Sequence, residues 1–447
     1  MNRDLTQGPV MGSMLLFAIP MILGNLLQQC YNIADTLIVG KFLGENALAA
    51  VGSSFTLMTF LTSILLGLCM GSGALFSIRF GQRDETGLRE SVCAAFVLIA
   101  AATVLLNTLA YCSLDGLKVF LRVPEEVWGL MRTYLAVIFV GIAATFLYNY
   151  FASFLRAIGN SVAPLVFLAV SAVLNIALDL WFVVGLDRGV GGAAEATVIA
   201  QYVSGIGIAV YAAAKSPQLR ALRGSFAVRW QRVREVASFS VLTCVQQSVM
   251  NLGILMVQGL VNSFGPTVMA AFAAAVKIDA FAYMPVQDFG NAFSTFIAQN
   301  YGAQKSQRIR AGVKGAVAAA FAFCVVISAL VCLFAPQLMG FFVETDAIIA
   351  EGARYLRIEG AFYCGIGCLF LLYGLYRALG RPGMSVVLTV ISLGTRVALA
   401  YALSAIPAIG VVGIWWSVPI GWFLADVAGG VYYLLRKRTL LSFQNNV

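Results

Sequence analysis

Two acidic side chains, Asp35 and Asp179, lie far inside apolar stretches of this sequence, where an ionisable group is costly and therefore informative. Asp35 shares a helix face with Asn32, Tyr31 and Gln28, which precede it by three, four and seven residues. This spacing predicts one polar stripe on an otherwise apolar helix. Carboxylate, amide and hydroxyl oxygens are the groups that hold a proton or a hard cation such as Na+.

Asp179 has an amide neighbour of its own. Asn175 lies four residues before it, on the same face of a second helix, and a third acid, Glu195, stands near a helix end. Asp35 and Asp179 have no basic partner inside the apolar segments of their half of the chain. Two adjacent carboxylates in a low dielectric repel each other, so we expect this pair to bind a proton or a cation. The chain contains no histidine, so a side-chain proton carrier must be an acid.

The elements that position these acids are predicted to be long membrane-spanning helices. Sixty per cent of the residues are hydrophobic and 11% are charged, and apolar runs of twenty or more residues recur along the chain. Lipid cannot hydrogen-bond an open backbone, so each run is expected to be helical. The first run lacks a cleavage-site pattern and is expected to be retained. The predicted spans lie near residues 12–39, 47–78, 91–113, 131–153, 161–185, 190–214, 237–262, 268–300, 313–335, 354–376, 384–406 and 409–435.

An internal repeat organises these spans. Two short blocks recur at a constant offset of 221 residues: Arg156, Ala157 and Gly159 as Arg377, Ala378 and Gly380, and Gly189, Val190 and Gly192 as Gly410, Val411 and Gly413. The repeat predicts an all-α integral membrane protein with twelve transmembrane helices in two pseudo-symmetric six-helix lobes. The lobes are residues 1–214 and 237–447, joined by a basic linker over residues 215–236.

The polar residues of the first lobe are not repeated in the second. The same offset carries Asp35 to Met256, Asn149 to Phe370, Asn175 to Arg396, Asp179 to Ala400 and Thr197 to Val418. The fold itself therefore does not require the polar group, which is specific to the amino-terminal lobe. For Asn149 and Thr197 alone, interhelical hydrogen bonding worth about 1 kcal/mol a pair is the alternative role.

Basic residues predict the orientation in the membrane. With a cytoplasmic amino terminus, twenty of the 29 Lys and Arg residues lie on the cytoplasmic side and seven lie outside. Both termini are therefore expected in the cytoplasm. This asymmetry accounts for most of the net charge of +9, so a nucleic-acid partner is not indicated. The linker is either a plain topology signal or a surface that touches anionic membrane lipid.

Enzymatic chemistry and a cofactor are not indicated. The nine cysteines lie scattered in apolar spans without a CxxC spacing, and Cys364 and Cys368, which share a helix face, are two thiols without a histidine to complete a metal site. The sequence contains no GxxxxGK loop, no HExxH and no Ser-His-Asp set.

The second lobe has ionisable residues of its own inside the spans: Lys277, Asp279, Asp288, Glu359, Arg396 and Asp426. Lys277 and Asp279 are two residues apart and are not expected to pair, whereas Arg396 and Glu359 are candidates for a pair between helices. Structural and coupling roles both stay open for this set. The candidate substrate-cavity residues are Gln28, Tyr31, Asn32, Met256, Lys277, Met284 and Arg396, with ordinary packing as the alternative for the methionines.

Five stretches of the chain resemble the multidrug and toxic compound extrusion (MATE) family. They are the first span with Pro20 and Ala34-Asp35-Thr36, the Gly40-to-Gly52 connection, Arg156-Ala157-Ile158-Gly159-Asn160, the Asn175-to-Asp179 face, and Met284-Pro285 to Tyr301-Gly302-Ala303. The resemblance covers essentially the whole chain. It implies two six-helix lobes related by a pseudo-two-fold axis along the membrane normal, which alternate between faces and export organic, often cationic, compounds in exchange for Na+ or H+.

The resemblance also implies ion-binding residues. In members with an amino-lobe cation site, the ligands fall where Asp35, Asn149, Asn175, Asp179 and Thr197 stand here. Asp35, Asn175, Asp179 and Thr197 would be the metal ligands if the ion is Na+. Other members carry an acid on the seventh helix, where this chain has Gln246, Gln247 and Asn251 and no carboxylate. A carboxy-lobe site of that kind is therefore not expected.

These observations predict an efflux antiporter of a bacterial inner membrane. Its partners would be a small-molecule substrate and membrane lipid, with no nucleic acid and no obligate protein partner. Ion binding would bend or shift the first helix and so change the affinity of the drug cavity between two states. The main alternative is a flippase for lipid-linked precursors or polysaccharide units, for which a more cationic cavity than Lys277 and Arg396 provide is expected. A structural membrane scaffold would not need buried acids in one repeat only.

Overall fold

The computed structural model describes residues 3–116, 125–220 and 229–441. Within these ranges the regular structure is helical, as the apolar runs require in lipid. The helices are α1 (Val10–Leu43), α2 (Glu45–Gln82), α3 (Glu85–Cys112), α4 (Glu125–Ile138), α5 (Ile142–Ala157), α6 (Val162–Asp179), α7 (Gly189–Lys215), α8 (Pro217–Arg220), α9 (Trp230–Asn262), α10 (Pro266–Gly302), α11 (Ser306–Gly340), α12 (Asp346–Gly360), α13 (Tyr363–Ala378), α14 (Pro382–Ser404) and α15 (Val411–Leu440).

These helices form the predicted twelve spans. Eleven helical segments of the described ranges are long and apolar enough to cross a membrane, with α4 and α5 joined as one, and the pair α12 and α13, bent by 52°, supplies the twelfth. Most helices exceed the roughly 20 residues that a bilayer needs. α10, with 37 residues, is roughly 55 Å long at the usual helical rise. Tilt or protruding ends must accommodate the extra length.

Proline residues lie inside helices that stay continuous and inside one helix that is kinked. Pro20 and Pro285 lie inside α1 and α10, both of which continue past them as helix, so a bend at these two prolines stays a prediction. In α11 the backbone leaves helical values at Phe334 (φ −102°, ψ 16°), two residues before Pro336. The ring of a proline clashes with the preceding turn, which accounts for this kink.

The described helices group into two compact units. Unit 1 contains Met1–Asp4 and Ile19–Cys244, and unit 2 contains Leu5–Ala18 and Val245–Val447. The predicted lobes, residues 1–214 and 237–447, differ from these units in two exchanges. The first residues of α1 belong to unit 2, and the first residues of α9 belong to unit 1. Of the predicted linker, residues 221–228 lie outside the described ranges.

Hydrogen bonds explain why the chain start belongs to unit 2. The Leu5 N–H donates to Oε1 of Gln299 at 3.1 Å, and Lys305 Nζ donates to the Thr6 carbonyl at 2.7 Å. The guanidinium of Arg308 donates to the Gly8 carbonyl at 2.7 Å. These bonds satisfy backbone groups that precede α1 and tie them to the carboxyl-terminal end of α10 and the amino-terminal end of α11.

Small residues on α2 explain the exchange of α9. A Cβ placed at Gly67 would lie 2.6 Å from the Cα of Cys244, and a Cβ at Gly71 would collide with the carbonyl oxygen of Phe239. The hydroxyls of Ser72 and Ser240 are 2.8 Å apart. Glycine and serine allow helix backbones to approach closely in a membrane, so the start of α9 packs directly on α2.

Candidate cation site

The two acids singled out in the sequence meet inside unit 1. Asp35 lies on α1 and Asp179 is the last residue of α6, and their carboxyl groups approach within hydrogen-bonding reach of each other. Asp179 is fully buried, whereas Asp35 is partly exposed. Two ionised carboxylates have no hydrogen to share, so this contact requires a proton or a cation between them. Among the described residues, neither acid forms an ion pair with Lys or Arg.

The amide of Asn175 adds a neutral oxygen to the pair. Its Nδ2 donates to Oγ1 of Thr197 on α7 at 3.2 Å, while the Thr197 hydroxyl donates to the Ala193 carbonyl at 3.1 Å. The Asn175 side chain is thereby fixed, with its Oδ1 buried and without a donor in the part of the chain that the structure describes. Asn175 precedes Asp179 by one helical turn, so its free oxygen lies on the acid-bearing face of α6.

Four buried oxygens therefore lack a hydrogen-bond donor among the described residues: Oδ1 of Asp35, both carboxyl oxygens of Asp179, and Oδ1 of Asn175. A buried acceptor without a partner costs about 1–3 kcal/mol, and a charged one costs more. Carboxylate and amide oxygens of this kind suit either protons or a hard cation. The donor set therefore fits the predicted proton or Na+.

Two tyrosines border the acid pair. Tyr31 of α1 interacts with Gln28 on its own helix and lies close to Asp35, as the predicted polar stripe requires. Tyr134 of α4 is buried and close enough to interact electrostatically with Tyr31 and with both acids. Tyr134 was not among the predicted site residues. The one signal that marks it is the repeat, which pairs it with Tyr355.

Asn149 has a different environment. Its Nδ2 donates to the Thr145 carbonyl on the same helix at 2.9 Å. This bond directs the amide along α5, in line with the structural alternative for this residue. Its predicted place among the ion ligands stays a prediction, while Asn175 and Thr197 are in direct contact.

An irregular turn follows Asp179 directly. Residues Leu180–Gly185 form a π-helix, and the Arg188 N–H donates to the Phe182 carbonyl at 2.9 Å to close the connection to α7. The Arg188 guanidinium lies over the Phe182 ring, 5.6 Å from its centroid, and pairs with Glu195 at 2.5 Å. Glu195, the third acid predicted in this lobe, is thus an ion-pair partner at the helix end. Such π-turns are frequent beside functional residues.

The candidate substrate residues divide between the units. Gln28, Tyr31 and Asn32 belong to unit 1, and Met256, Lys277, Met284 and Arg396 belong to unit 2. Met256 and Lys277 are exposed, but Met284 is buried, as ordinary packing requires. A cavity lined by all seven residues stays a prediction.

Unit 2 contains a second group of buried acids. Asp279 on α10 accepts hydrogen bonds from the hydroxyls of Tyr355, at 2.7 Å, and Tyr363. The carboxyl group of Glu359 on α12 lies within hydrogen-bonding reach of Asp279, and Arg396 is near enough to interact electrostatically with both acids. The expected separation of Lys277 from Asp279 is confirmed, since Asp279 is buried and Lys277 is exposed.

The predicted direct pair between Arg396 and Glu359 is wrong in its geometry. Among the described residues, no nitrogen of Arg396 comes within 4.0 Å of a Glu359 oxygen. The two acids instead meet each other, and the guanidinium acts on them from a greater distance. Asp288 and Asp426 are separate: Asp288 is buried on α10, and Asp426 on α15 lies near Cys368.

The internal repeat is also present in a known family. A model of the MatE family matches residues 20–181 and again residues 241–402. The two matches begin 221 residues apart (241 − 20), which is the register of the repeat. The chain belongs to the MatE family. MatE proteins are membrane transporters and not enzymes. The family match confirms the resemblance seen in the sequence, and the solved MATE structures confirm the predicted two-lobe helical fold.

Relatives of the chain match it over nearly their full lengths. The probable multidrug resistance protein YpnP of Bacillus subtilis is 29% identical over 441 residues, 96% of each chain. The multidrug export protein MepA of Staphylococcus aureus is 23% identical over 441 residues, 97% of this chain and 95% of its own. A solved MOP superfamily transporter from Pyrococcus furiosus is 23% identical and superposes with a TM-score of 0.90 over 98% of both chains, which shows the shared fold.

Proposed function

We propose that this MatE protein is a secondary active multidrug efflux antiporter, which exports organic, often cationic, compounds in exchange for Na+ or H+ by alternating access. The observation that carries the proposal is the contact between Asp35 and Asp179 inside unit 1. Their oxygens, together with Oδ1 of Asn175, are buried without hydrogen-bond donors among the described residues. A group of this kind is stable only with a bound positive charge, and a charge that can leave is what antiport requires.

The cation would reach the pair from the side of Asp35. That residue is partly exposed, whereas Asp179 is fully buried and followed by the π-turn over Leu180–Gly185. Asp35 would receive the ion, Asp179 would share it, and Asn175 would add a neutral ligand whose orientation Thr197 fixes. Asn149 is proposed at most as an outer neighbour because its amide donates within its own helix.

The route of coupling is proposed to run along α1. This helix is continuous, yet its residues up to Ala18 belong to unit 2 and those from Ile19 onward belong to unit 1. Pro20 stands beside this division. An ion bound at Asp35 therefore acts on a helix that both units share, and its binding energy can favour one of two states. By linkage, the same difference changes the affinity for the exported compound.

The substrate class follows from the relatives, whose names describe multidrug resistance and multidrug export. We propose that Gln28, Tyr31, Asn32, Met256, Lys277, Met284 and Arg396 contribute to its binding. The excess of basic residues on one side supports a bacterial cytoplasmic membrane location with both termini inside.

Efflux from proteoliposomes tests this proposal. Vesicles that contain the purified protein and the fluorescent organic cation ethidium receive a Na+ pulse at fixed pH, and in a second series a pH jump without Na+. We expect one of the two gradients to drive export, and Asp35→Asn to abolish that export while membrane insertion is unchanged. Gradient-driven export by Asp35→Asn would refute the site, and translocation of a lipid-linked precursor without ethidium export would favour the flippase alternative.

A further inference from the structure

Two acids of unit 2, Asp279 and Glu359, also form a contact with each other. Asp279 and Glu359 are 2% and 3% exposed, and their carboxyl groups lie within hydrogen-bonding reach of each other, a contact that one shared proton would stabilise. Two tyrosine hydroxyls donate to Asp279. Oε1 of Glu359 is buried without a hydrogen-bond partner among the described residues. A second buried acid pair thus exists in the second repeat, formed by two of the ionisable residues that lie inside its spans.

The repeat relates neighbours of the two acid pairs, although it does not relate the acids themselves. Subtracting 221 from Tyr355 gives Tyr134, which borders the acid pair of unit 1, and subtracting 221 from Arg396 gives Asn175, which belongs to that pair's ligands. The acids themselves come from unrelated positions: Asp279 corresponds to Met58 and Glu359 to Ile138. The same region of the bundle has therefore been made acidic twice, from different residues.

The two groups differ in their source of positive charge. Unit 1 has the neutral Asn175 where unit 2 has Arg396, which interacts with Asp279 and Glu359. Arg396 on α14 begins against α15: its Cβ lies 3.5 Å from the position that a Cβ on Gly421 would occupy. Its Nε is buried without a hydrogen-bond partner among the described residues. A guanidinium held in this way supplies a fixed charge that cannot leave the protein.

The sum of the charges differs between the two acid pairs. In unit 2, two carboxylates, one shared proton and one guanidinium add to zero, and the other titratable groups beside them, the hydroxyls of Tyr283, Tyr355 and Tyr363, are neutral. In unit 1, two carboxylates and one shared proton leave one negative charge. Uncompensated charge inside a membrane protein is costly. The acid pair of unit 1 therefore needs one more mobile cation than the acid pair of unit 2.

We propose that Arg396 is a tethered counter-ion that takes the place of a mobile cation at the acid pair of unit 2, so that only a single one of the two acid pairs, the one in unit 1, is a site for a mobile cation. Arg396 is a specificity-determining residue in this sense: it sets how many ions are coupled to each transport cycle. The single site rests on the proposed function, but the latent site in unit 2 does not. Replacing Arg396 by a neutral side chain opens that latent site.

Cation binding to the full-length protein in lipid nanodiscs tests this proposal. Radioactive Na+ is bound to saturation at alkaline pH, and proton uptake is measured without Na+, for the wild type, Arg396→Gln and the charge-conserving Arg396→Lys. We expect Arg396→Gln to bind one more cation per chain than the wild type, as Na+ or as a proton, and Arg396→Lys to bind the same number as the wild type. Equal counts for Arg396→Gln and the wild type would overturn the proposal.

The same measurement in an Asp35→Asn background separates this proposal from the proposed function. The extra cation of Arg396→Gln is expected to persist there, whether or not the Asp35 site proves to bind an ion. Thermal unfolding gives a second readout if Arg396→Gln is destabilised. Saturating Na+ or acidic pH is expected to raise the melting temperature of Arg396→Gln by more than that of Arg396→Lys, because a bound ligand stabilises the folded state. Equal shifts in the two variants would contradict a latent cation site.

Discussion

The acid pair of unit 1 and the acid pair of unit 2 are built alike and neutralised differently. Both bring two carboxyl groups into contact beside a buried tyrosine, Tyr134 in one unit and Tyr355 in the other. In unit 2, two tyrosine hydroxyls and Arg396 surround the acids. In unit 1, the neutral Asn175 and Thr197 bond to each other on α6 and α7, and buried oxygens of Asp35, Asp179 and Asn175 have no donor among the described residues. In a duplicated bundle, one copy can therefore hold a group of charges that neutralise each other, while the other copy holds an exchangeable ion.

Asn175→Arg removes the difference between the two acid pairs and is expected to have the largest effect. It gives unit 1 the residue that unit 2 has at the corresponding position. We expect the guanidinium to neutralise Asp35 and Asp179 permanently and to reduce ion-driven ethidium efflux to the background of empty vesicles. The control is Asn175→Gln, which keeps the amide and is expected to retain efflux. Full efflux by a correctly inserted Asn175→Arg protein would show that a fixed charge does not replace the ion.

A comparison of Asn175→Ala with Asn149→Ala tests which amide of unit 1 contributes to cation binding, and a smaller effect is expected. Removing the Asn175 oxygen deletes one neutral ligand and releases Thr197. Loss of one hydrogen-bonding ligand of a charged group is worth about 1.4–3 kcal/mol, so we expect cation affinity to fall by about tenfold or more. Asn149→Ala removes a bond within its own helix and is expected to change affinity by about threefold or less. Equal losses in sodium or proton binding would return Asn149 to the ligand set.

Tyr355→Phe tests the acid pair of unit 2, and its effect on transport is expected to be the smallest. The substitution removes the hydroxyl that donates to Asp279 at 2.7 Å. The free energy of unfolding is expected to fall by about 1.5–3 kcal/mol because a charged acceptor loses a donor. The ratio of ions to ethidium transported is expected to stay unchanged. A changed ratio would mean that the unit 2 acids take part in coupling.

The fold could be predicted from the sequence because membrane helices have a strong local signal. Apolar runs fix the spans, and the repeat, marked by residues such as Gly159 and Gly380, fixes their division into two sets. The exchange of the ends of α1 and α9 between units could not be predicted. It depends on the backbone contact that Gly67 and Gly71 permit, and glycines of this kind have several possible partners in a helical sequence.

The candidate site was predictable in part for a similar reason. Asp35 and Asp179 stand out because an acid in an apolar run is rare, and Asn175 follows from its spacing. Tyr134 does not stand out, since a tyrosine near the end of a span is ordinary in membrane proteins. The contact of Asp279 on α10 with Tyr355 and Glu359 on α12 and with Tyr363 on α13 could not be predicted, because it joins three helices. Helical periodicity relates residues of one helix and does not say which helices face each other.

Equilibrium cation binding to the wild type and to Asp179→Asn tests the central claim most directly. Asp179 is fully buried and touches Asp35, so its neutral amide removes the charge that the ion must balance. The control is Asp115→Asn, which alters an exposed acid paired with Arg132 outside the site. We predict that the wild type and Asp115→Asn bind one mobile cation more per chain than Asp179→Asn, counted as Na+ or as protons. Equal binding by all three proteins would contradict the account.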